Sequence, residues 1–144
     1  MERGVMKYNT VPERTKKEKN MAHKDCVVNI EKGYYISWFV TTQAANLVTV
    51  TLADSAKTYF SESKQSTEIA PALASGEAIV DGDNLTLSIE VADAEALLGN
   101  PHSNDILTDS GNLAGKEYTL CLEDYTDNDY NDIAISIIGW KSKG

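Results

Sequence analysis

Residues 123–132 of this chain read Glu123-Asp124-Tyr125-Thr126-Asp127-Asn128-Asp129-Tyr130-Asn131-Asp132. These ten positions hold five carboxylates and two carboxamides, and no Lys or Arg occurs between Lys116 and Lys141 to balance them. Two carboxylates about 5 Å apart repel each other by about 3 kcal/mol at an effective dielectric constant of about 20. A folded cluster of this kind needs either solvent on every side or a cation among the carboxylates. Because oxygen ligands select hard ions and Ca²⁺ accepts about six to eight of them, the stretch predicts a calcium site.

The next residues read Ile133-Ala134-Ile135-Ser136-Ile137-Ile138, with an apolar residue at every second position, which predicts a core strand. A loop that enters such a strand directly is held in place, as a preorganised metal site requires. The competing interpretation is a helix-loop-helix calcium motif, which needs Gly at loop position 6 and Glu at position 12. Counted from Asp127, these positions hold Asp132 and Ile138, so that motif is excluded.

Upstream, the chain also reads as short strands separated by turn signals. Residues 34–40 are rich in the aromatic and β-branched residues that strands prefer, and apolar and polar residues alternate at residues 46–52, 84–91 and 117–122. Two connections, residues 41–45 and 81–83, are predicted to be the bends of β-hairpins. About eight short strands with so little helix indicate an all-β class, an antiparallel β-sandwich.

Three other segments have weaker signals. Residues 92–98 have helical propensity and a Gly99 stop, which predicts a short helix. Residues 61–76 and 99–116 are rich in small, polar and breaker residues and are predicted to be mostly loop.

The length and charge of the chain limit the classes of protein to which it can belong. A chain of 144 residues fits a single domain, which we assign to residues 26–144, preceded by a basic and flexible N-terminal tail over residues 1–25. The net charge is −9, although residues 1–26 carry seven Lys or Arg against four acidic residues. The acidic body argues against nucleic-acid binding, which usually needs a basic face. A solvated, disordered segment is the favoured interpretation of the basic tail.

Other features concern the compartment. No apolar run approaches the ~18 residues of a membrane span, so membrane insertion is not expected. Residues 1–7 lack the apolar segment of a secretory signal, which predicts a cytoplasmic location or export by a non-standard route. Cys26 and Cys121 have no neighbouring metal-ligand or redox partner and are interpreted as small buried apolar residues, although they could pair if their strands were adjacent.

The sequence contains no glycine-rich phosphate loop, no Gly-x-Ser-x-Gly elbow and no zinc-ligand spacing. Enzymatic chemistry would therefore have to come from the carboxylates themselves, as in a glycosidase that pairs two of them as acid and base. Five mutually close, metal-bound carboxylates leave no protonated acid. The sequence thus predicts a protein that is not an enzyme.

Residues 123–132 resemble the signature Glu-Asp-Gly-Thr-Asp-Asn-Asp-Tyr-Asn-Asp of the soluble bacterial two-calcium lectins that bind fucose and mannose, the LecB type. Nine of the ten positions agree. The resemblance extends downstream to Trp140 and upstream over residues 36–44 and 48–50, with only a general β pattern between about residue 61 and residue 116. It implies a nine-stranded antiparallel sandwich that holds two Ca²⁺ ions side by side, with sugar hydroxyls coordinating both ions.

The resemblance also implies roles for individual residues. The implied metal ligands are Thr41 through its main-chain carbonyl, Glu123, Asp127, Asp129, Asn131, Asp132 and Gly144. The implied sugar-binding residues are Thr42, Gln43, Ala44, Asp124, Asp127, Asp129, Asn131 and Asp132. Among these, residues 42–44 match the short specificity loop of the family. Vicinal hydroxyls of a pyranose ring can replace two waters on calcium, which explains strong binding of a neutral ligand.

This chain departs from the family at four places. Thr41 stands where family members have Asn, but a main-chain carbonyl ligand survives a change of side chain. Gln43 is longer than the small residue usual there, which predicts an altered preference among monosaccharides. Tyr125 replaces a Gly, and its ring could stack on a sugar face. Family members end in a Gly whose carboxylate reaches a calcium in the neighbouring subunit, which implies a homodimer or homotetramer, but here Gly144 follows Asp132 by twelve residues, more than the family spacing.

We therefore expect residues 26–144 to form a calcium-dependent lectin domain whose partners are monosaccharides and glycans. The alternative is a β-sandwich domain whose calcium is purely structural and which binds no sugar.

Overall fold

The computed structural model describes residues 21–124 and 131–144. Within these ranges the chain forms nine strands: β1 (Ala22–Val27), β2 (Tyr35–Thr42), β3 (Ala44–Ala53), β4 (Thr58–Ser66), β5 (Ala74–Ile79), β6 (Thr86–Val91), β7 (Leu98–Leu107), β8 (Leu113–Glu123) and β9 (Ile133–Trp140). The same ranges contain no helix that is long and apolar enough to cross a membrane. The predicted all-β class and antiparallel sandwich of about nine strands are confirmed.

The strands form two antiparallel sheets, one in the order β1-β6-β3-β4 and the other in the order β5-β2-β9-β8-β7. The central strand of the larger sheet is β9. Its first residue, Ile133, is paired with Thr42 at the end of β2 and with Leu122 near the end of β8. The ends of β2 and β8 therefore lie on either side of the start of β9, which is where the acidic stretch joins the sheet.

Alternation along β9 supplies one half of the core. Ile133, Ile135 and Ile137 are at most 2% exposed. They belong to a single apolar cluster that includes, from the smaller sheet, Val48, Val50, Leu52, Leu87, Ile89 and Val91. Burying a side chain of this size contributes about 1.5–3 kcal/mol relative to leaving it exposed. The core thus anchors the strand that carries the acidic stretch at its start.

Both predicted hairpins are wrong, although the bends are real. The bend at Gln43 joins β2 to β3, and the turn over residues 81–84 joins β5 to β6, but each pair of strands lies in different sheets. The alternation of apolar residues marks which face of a strand is buried, and that face points to the core in either connection. Local pattern therefore predicts the strands here without predicting which strands pair.

The predicted helix over residues 92–98 is also wrong, and much of the predicted loop is strand. Most of residues 61–76 belongs to β4 and β5, and most of residues 99–116 belongs to β7 and β8. Pro101 lies within β7, which is an edge strand, and an edge position tolerates the missing N–H donor of proline.

The domain begins earlier than predicted. Residues 22–25, assigned from the sequence to the flexible tail, form most of β1 and pair with β6, where Ala22 lies opposite Val91. Residues 1–20 lie outside the described ranges, so the flexible tail remains a prediction for them. Cys26 and Cys121 are free thiols and half-buried, in strands of different sheets.

Candidate functional site

A cluster of three carboxylates lies at one end of the sandwich, where β8 ends and β9 begins. Glu123 is the last residue of β8, Asp124 follows it, and Asp132 immediately precedes β9. One carboxylate oxygen from each of these residues lies within 4.8 Å of the other two. The pairing of β8 with β9 thus brings together residues that are separated by the acidic loop.

Hydrogen bonds from two segments fix Asp132. The Asp124 N–H donates to Asp132 Oδ2 at 2.9 Å, and the Gln43 N–H donates to the Asp132 carbonyl at 2.9 Å. The side-chain amide of Gln43 also donates to the Asn131 carbonyl at 3.3 Å. The bend after β2 and the end of β8 therefore both hold the last residues of the acidic stretch in a defined position.

The cluster carries concentrated negative charge in a place that water hardly reaches. Glu123 is fully buried and Asp132 is 8% exposed. The pKa of Asp132 is raised to about 6, chiefly because burial removes water from its carboxylate and in part because the Asp124 side chain lies beside it. Buried carboxylates are stable when they are paired with a cation or bind a metal.

The donor set fits a hard divalent cation. All three side chains offer carboxylate oxygen, which Ca²⁺ prefers, and they converge closely enough to share one ion. No Lys or Arg occurs between residues 116 and 141, so the acidic stretch supplies no cation of its own. Calcium binding would remove the repulsion among these carboxylates.

The residues predicted as a specificity loop lie beside the cluster. Thr41 is paired with Ala134, and the next residue, Thr42, with Ile133. Thr42 is 1% exposed and Ala44 is 4% exposed, whereas Gln43 between them is half-buried. Among these three predicted sugar-binding residues, Gln43 alone has a side chain that is partly open to solvent.

Thr42 has a second notable property, because its buried hydroxyl has no hydrogen-bond partner among the described residues. A buried hydroxyl without a partner costs about 1–3 kcal/mol. Its position, at the end of β2 beside the carboxylate cluster, marks it as a group that a bound ligand or ion could satisfy.

We expect Thr42→Val to stabilise the metal-free protein, since valine keeps the shape of threonine and removes the unpartnered hydroxyl. The melting temperature should rise by about 3 °C, which corresponds to about 1 kcal/mol for a chain of this length. Thermal unfolding in the presence of a chelator measures this. The matched control is Thr49→Val. The Thr49 hydroxyl is hydrogen-bonded to the Ser63 hydroxyl at 2.7 Å, so its removal should not stabilise the protein. A lower melting temperature for Thr42→Val would show that its hydroxyl already supports the fold.

Three residues singled out in the sequence lie outside the described ranges. They are the predicted ligands Asp127 and Asp129 and the aromatic Tyr125. Gly144 is described and exposed, and it follows Trp140 at the opposite end of β9 from Asp132. The structure therefore brings together Glu123, Asp124 and Asp132 but does not bring Gly144 to the cluster of its own chain.

Sequence reasoning missed the residues that border the cluster from β3 and β7. Leu98 lies directly opposite Glu123 in the pairing of β7 with β8. A cavity of about 540 Å³ lies alongside, lined by residues that include Leu98, Asn46 and Asp124. No local pattern could have revealed this arrangement, because residues 92–98 resemble a helix and Asn46 lies in an otherwise regular strand pattern.

Comparison with protein-family models finds no match to the sequence, and no curated protein matches it. Solved structures do match. The architecture of this chain is similar to that of several bacterial lectins.

Three of these structures show the extent of the likeness. The C-terminal domain of the BC2L-C lectin from Burkholderia cenocepacia has a TM-score of 0.63 at 18% identity, covering 85% of this chain and 99% of that one. The high-affinity mannose-binding lectin of Ralstonia solanacearum has a TM-score of 0.57 at 18% identity, covering 83% and 96%. The Chromobacterium violaceum lectin CV2L, solved in complex with alpha-methyl-fucoside, has a TM-score of 0.56 at 16% identity, also covering 83% and 96%. At these identities the likeness establishes the fold, and the predicted resemblance is confirmed at that level.

Proposed function

We propose that this chain is a calcium-dependent, carbohydrate-binding lectin that holds two Ca²⁺ ions and binds fucose- or mannose-type monosaccharides through them. The observation that carries the proposal is the convergence of Glu123, Asp124 and Asp132 within 4.8 Å at one end of the sandwich. The fold is shared with bacterial lectins, one of which is described as mannose-binding and another of which was solved with a fucoside.

The proposed ligand set draws on three segments of the chain. Glu123 and Asp132 would hold calcium together with Asp127 and Asp129 of the acidic loop. Asn131 and the Thr41 carbonyl would complete the set for the second ion. Calcium would supply positive charge that coordinates sugar hydroxyls directly. Asp124, which is only half-buried, would accept a hydrogen bond from a further hydroxyl.

Gly144 lies far from the carboxylate cluster of its own chain. The eight residues of β9 span about 25 Å, and Trp140 lies at the end remote from Asp132. Lys143 lies over the ring of Tyr35, with its ammonium 5.1 Å from the ring centroid, so the last residues stay at that remote end. If the Gly144 carboxylate binds calcium, it therefore does so in a neighbouring subunit. We propose a homodimer or homotetramer on this basis, in which several sites on one body increase avidity for glycans.

Titration calorimetry tests the proposed function. Methyl α-mannoside and methyl α-fucoside should release heat on binding in millimolar calcium, release none after chelation, and bind again when calcium is restored. A purely structural calcium site would give no sugar-dependent heat in either state. We also propose that binding occurs without turnover, so nitrophenyl mannoside and fucoside should yield no nitrophenol.

Gln43→Ser is expected to change the ratio of fucose to mannose affinity by about threefold or more. The reason is that the Gln43 side chain is half-buried beside the cluster and hydrogen-bonds the Asn131 carbonyl, so shortening it opens space and frees an acceptor. Titration of both methyl glycosides against each protein measures the ratio. Gln65→Ser is the control, because Gln65 donates to the Ala45 carbonyl from an exposed position on β4. An unchanged ratio in Gln43→Ser would exclude a role for this side chain in selectivity.

A further inference from the structure

The cavity beside the carboxylate cluster has walls from three parts of the fold. Its volume is about 540 Å³, within the range of small-molecule binding sites. Its described lining comes from Asn46 of β3, residues 93–96 between β6 and β7, and Leu98 at the start of β7. Asp124, a member of the carboxylate cluster, is also among the lining residues.

The walls are held by features of the backbone. The pairing of β3 with β4 is irregular between Ala44 and Val48, and such bulges re-aim side chains near sites. The Ala92 N–H donates to the Leu47 carbonyl at 3.0 Å, which ties the loop after β6 to this part of β3. Asp93 then turns the chain with a φ of 59°, a left-handed conformation that Asp adopts more readily than most residues. The cavity is therefore part of the folded architecture.

The cavity shares a residue with the carboxylate cluster. Asp124 belongs to both, as a member of the carboxylate cluster and as a lining residue of the cavity. Leu98 lies opposite the buried Glu123 in the sheet. A molecule bound at the cluster would therefore have the cavity as its immediate neighbour, on the side of β7.

The chemistry of the walls suits a second sugar ring. Leu98 is 48% exposed and, with the exposed Ala96, offers an apolar surface for the C–H face of a pyranose. Asn46 offers an amide, and Asp93 and Glu95 offer carboxylates that accept hydrogen bonds from hydroxyls. A pyranose ring, with one apolar face and a polar rim, matches this mixture of groups.

The charge of the walls restricts which sugar can enter. Asp93, Glu95 and Asp124 are acidic, and no Lys, Arg or His is among the described lining residues. Lys24 lies over Gly99, one residue beyond Leu98, and does not line the cavity. An anionic sugar would meet like charge, whereas a neutral or cationic sugar would not.

From these observations we propose that the cavity is a second saccharide subsite, which takes the next residue of a glycan bound at the cluster, accepts neutral or amino sugars and excludes uronic acids. The proposal rests on the proposed function, because the first sugar must be held at the cluster.

The test compares mannose alone with three mannosyl disaccharides, in which the second residue is N-acetylglucosamine, glucosamine or glucuronic acid. In millimolar calcium at low salt, titration calorimetry should show that the N-acetylglucosamine and glucosamine disaccharides bind about tenfold more tightly than methyl α-mannoside. A gain of this size corresponds to about one additional hydrogen bond together with some apolar contact. The glucuronic acid disaccharide should bind about fivefold more weakly than methyl α-mannoside. Raising the salt concentration should shrink the difference between the charged disaccharides, because the lining side chains are partly solvent-exposed.

Two variants test whether the affinity gained from the second ring comes from the cavity. Each result is expressed as the ratio of disaccharide to monosaccharide affinity, so that changes at the first site cancel. Leu98→Ser should reduce the gain from the second ring about fivefold, whereas Leu107→Ser, a matched exposed leucine at the other end of β7, should leave the ratio unchanged. Glu95→Gln should narrow the preference for glucosamine over glucuronic acid about threefold, whereas Glu62→Gln, which removes the same charge from β4, should leave it unchanged.

The outcomes separate this inference from the proposed function. Mannose binding without any gain from a second ring, or the same ratios in Leu98→Ser and Leu107→Ser, would overturn the subsite and leave the lectin function intact. Tightest binding of the glucuronic acid disaccharide would likewise overturn it. Absence of calcium-dependent mannose binding would overturn both.

Discussion

Glu123→Gln is expected to weaken calcium-dependent sugar binding by at least about 100-fold. Glu123 is fully buried at the end of β8, and its carboxylate converges with those of Asp124 and Asp132. Glutamine keeps the size of the side chain but replaces the negatively charged carboxylate, which is the ligand that binds calcium, with a neutral amide. Because the sugar is proposed to bind through the ions, loss of calcium affinity would carry over to the sugar. Titration of methyl α-mannoside at fixed millimolar calcium measures the effect.

The same variant should have the opposite effect on the metal-free protein. Removing one charge from this closely spaced group of three carboxylates relieves up to about 3 kcal/mol of repulsion per close pair. The melting temperature in chelator should therefore rise or stay level. Glu62→Gln, which removes a charge from an exposed position on β4, is the control and should change neither quantity. Unimpaired sugar binding by Glu123→Gln would exclude the cluster as the metal site, and a large fall in metal-free stability would indicate a structural role for Glu123.

Calcium alone should raise the melting temperature by about 10 °C when its concentration is about 100 to 1,000 times the dissociation constant. Binding to the folded state alone stabilises by about 3–4 kcal/mol under these conditions. For a chain of 144 residues each kcal/mol corresponds to about 3 °C. The physical source is the cluster itself, where buried carboxylates carry mutual repulsion that a dication removes. Differential scanning calorimetry across a calcium series measures the shift.

Magnesium at equal concentration is the control for this prediction. Mg²⁺ demands near-ideal octahedral geometry and loses water reluctantly, so it should stabilise the protein far less than Ca²⁺. Glu123→Gln provides a second control, because it should remove most of the calcium shift. A melting temperature that does not respond to calcium, or that responds equally to both ions, would contradict a calcium site built from these residues.

The class of fold could be predicted from the sequence because it depends on local information. The alternation over residues 133–138 marks a strand with one buried face, and Ile133, Ile135 and Ile137 are indeed buried. The order of strands in the sheets depends on which ends meet in space. The bend at Gln43 carries no signal that β2 and β3 lie in different sheets, and the hairpin prediction was wrong for that reason.

The strand β7 was missed because its own sequence does not favour a strand. Leu98–Leu107 contains Gly99, Asn100 and Pro101, which have low strand propensity, and most of its residues are exposed. The residue types of β7 do not favour a strand. Backbone pairing with β8 along ten residues, from Leu98↔Glu123 to Leu107↔Leu113, stabilises the strand instead. Tertiary contact here overrides local propensity.

The candidate site, like the fold, could be predicted from the sequence only in part. Glu123, Asp124 and Asp132 could be predicted as a group because the acidic loop begins and ends at neighbouring strands. The unpartnered hydroxyl of Thr42 and the cavity at Leu98 could not, because both depend on how strands distant in sequence are packed. The local signature therefore predicts the chemistry of the site, whereas the fold defines its walls.

A crystal structure grown in millimolar calcium and soaked with methyl α-mannoside would test the central proposal most directly. We expect density for two ions among Glu123, Asp132 and the acidic loop, with sugar hydroxyls coordinated to both. Density that shows the pocket without metal, or that shows ions fully enclosed by protein ligands with no position open to a sugar, would contradict the proposal.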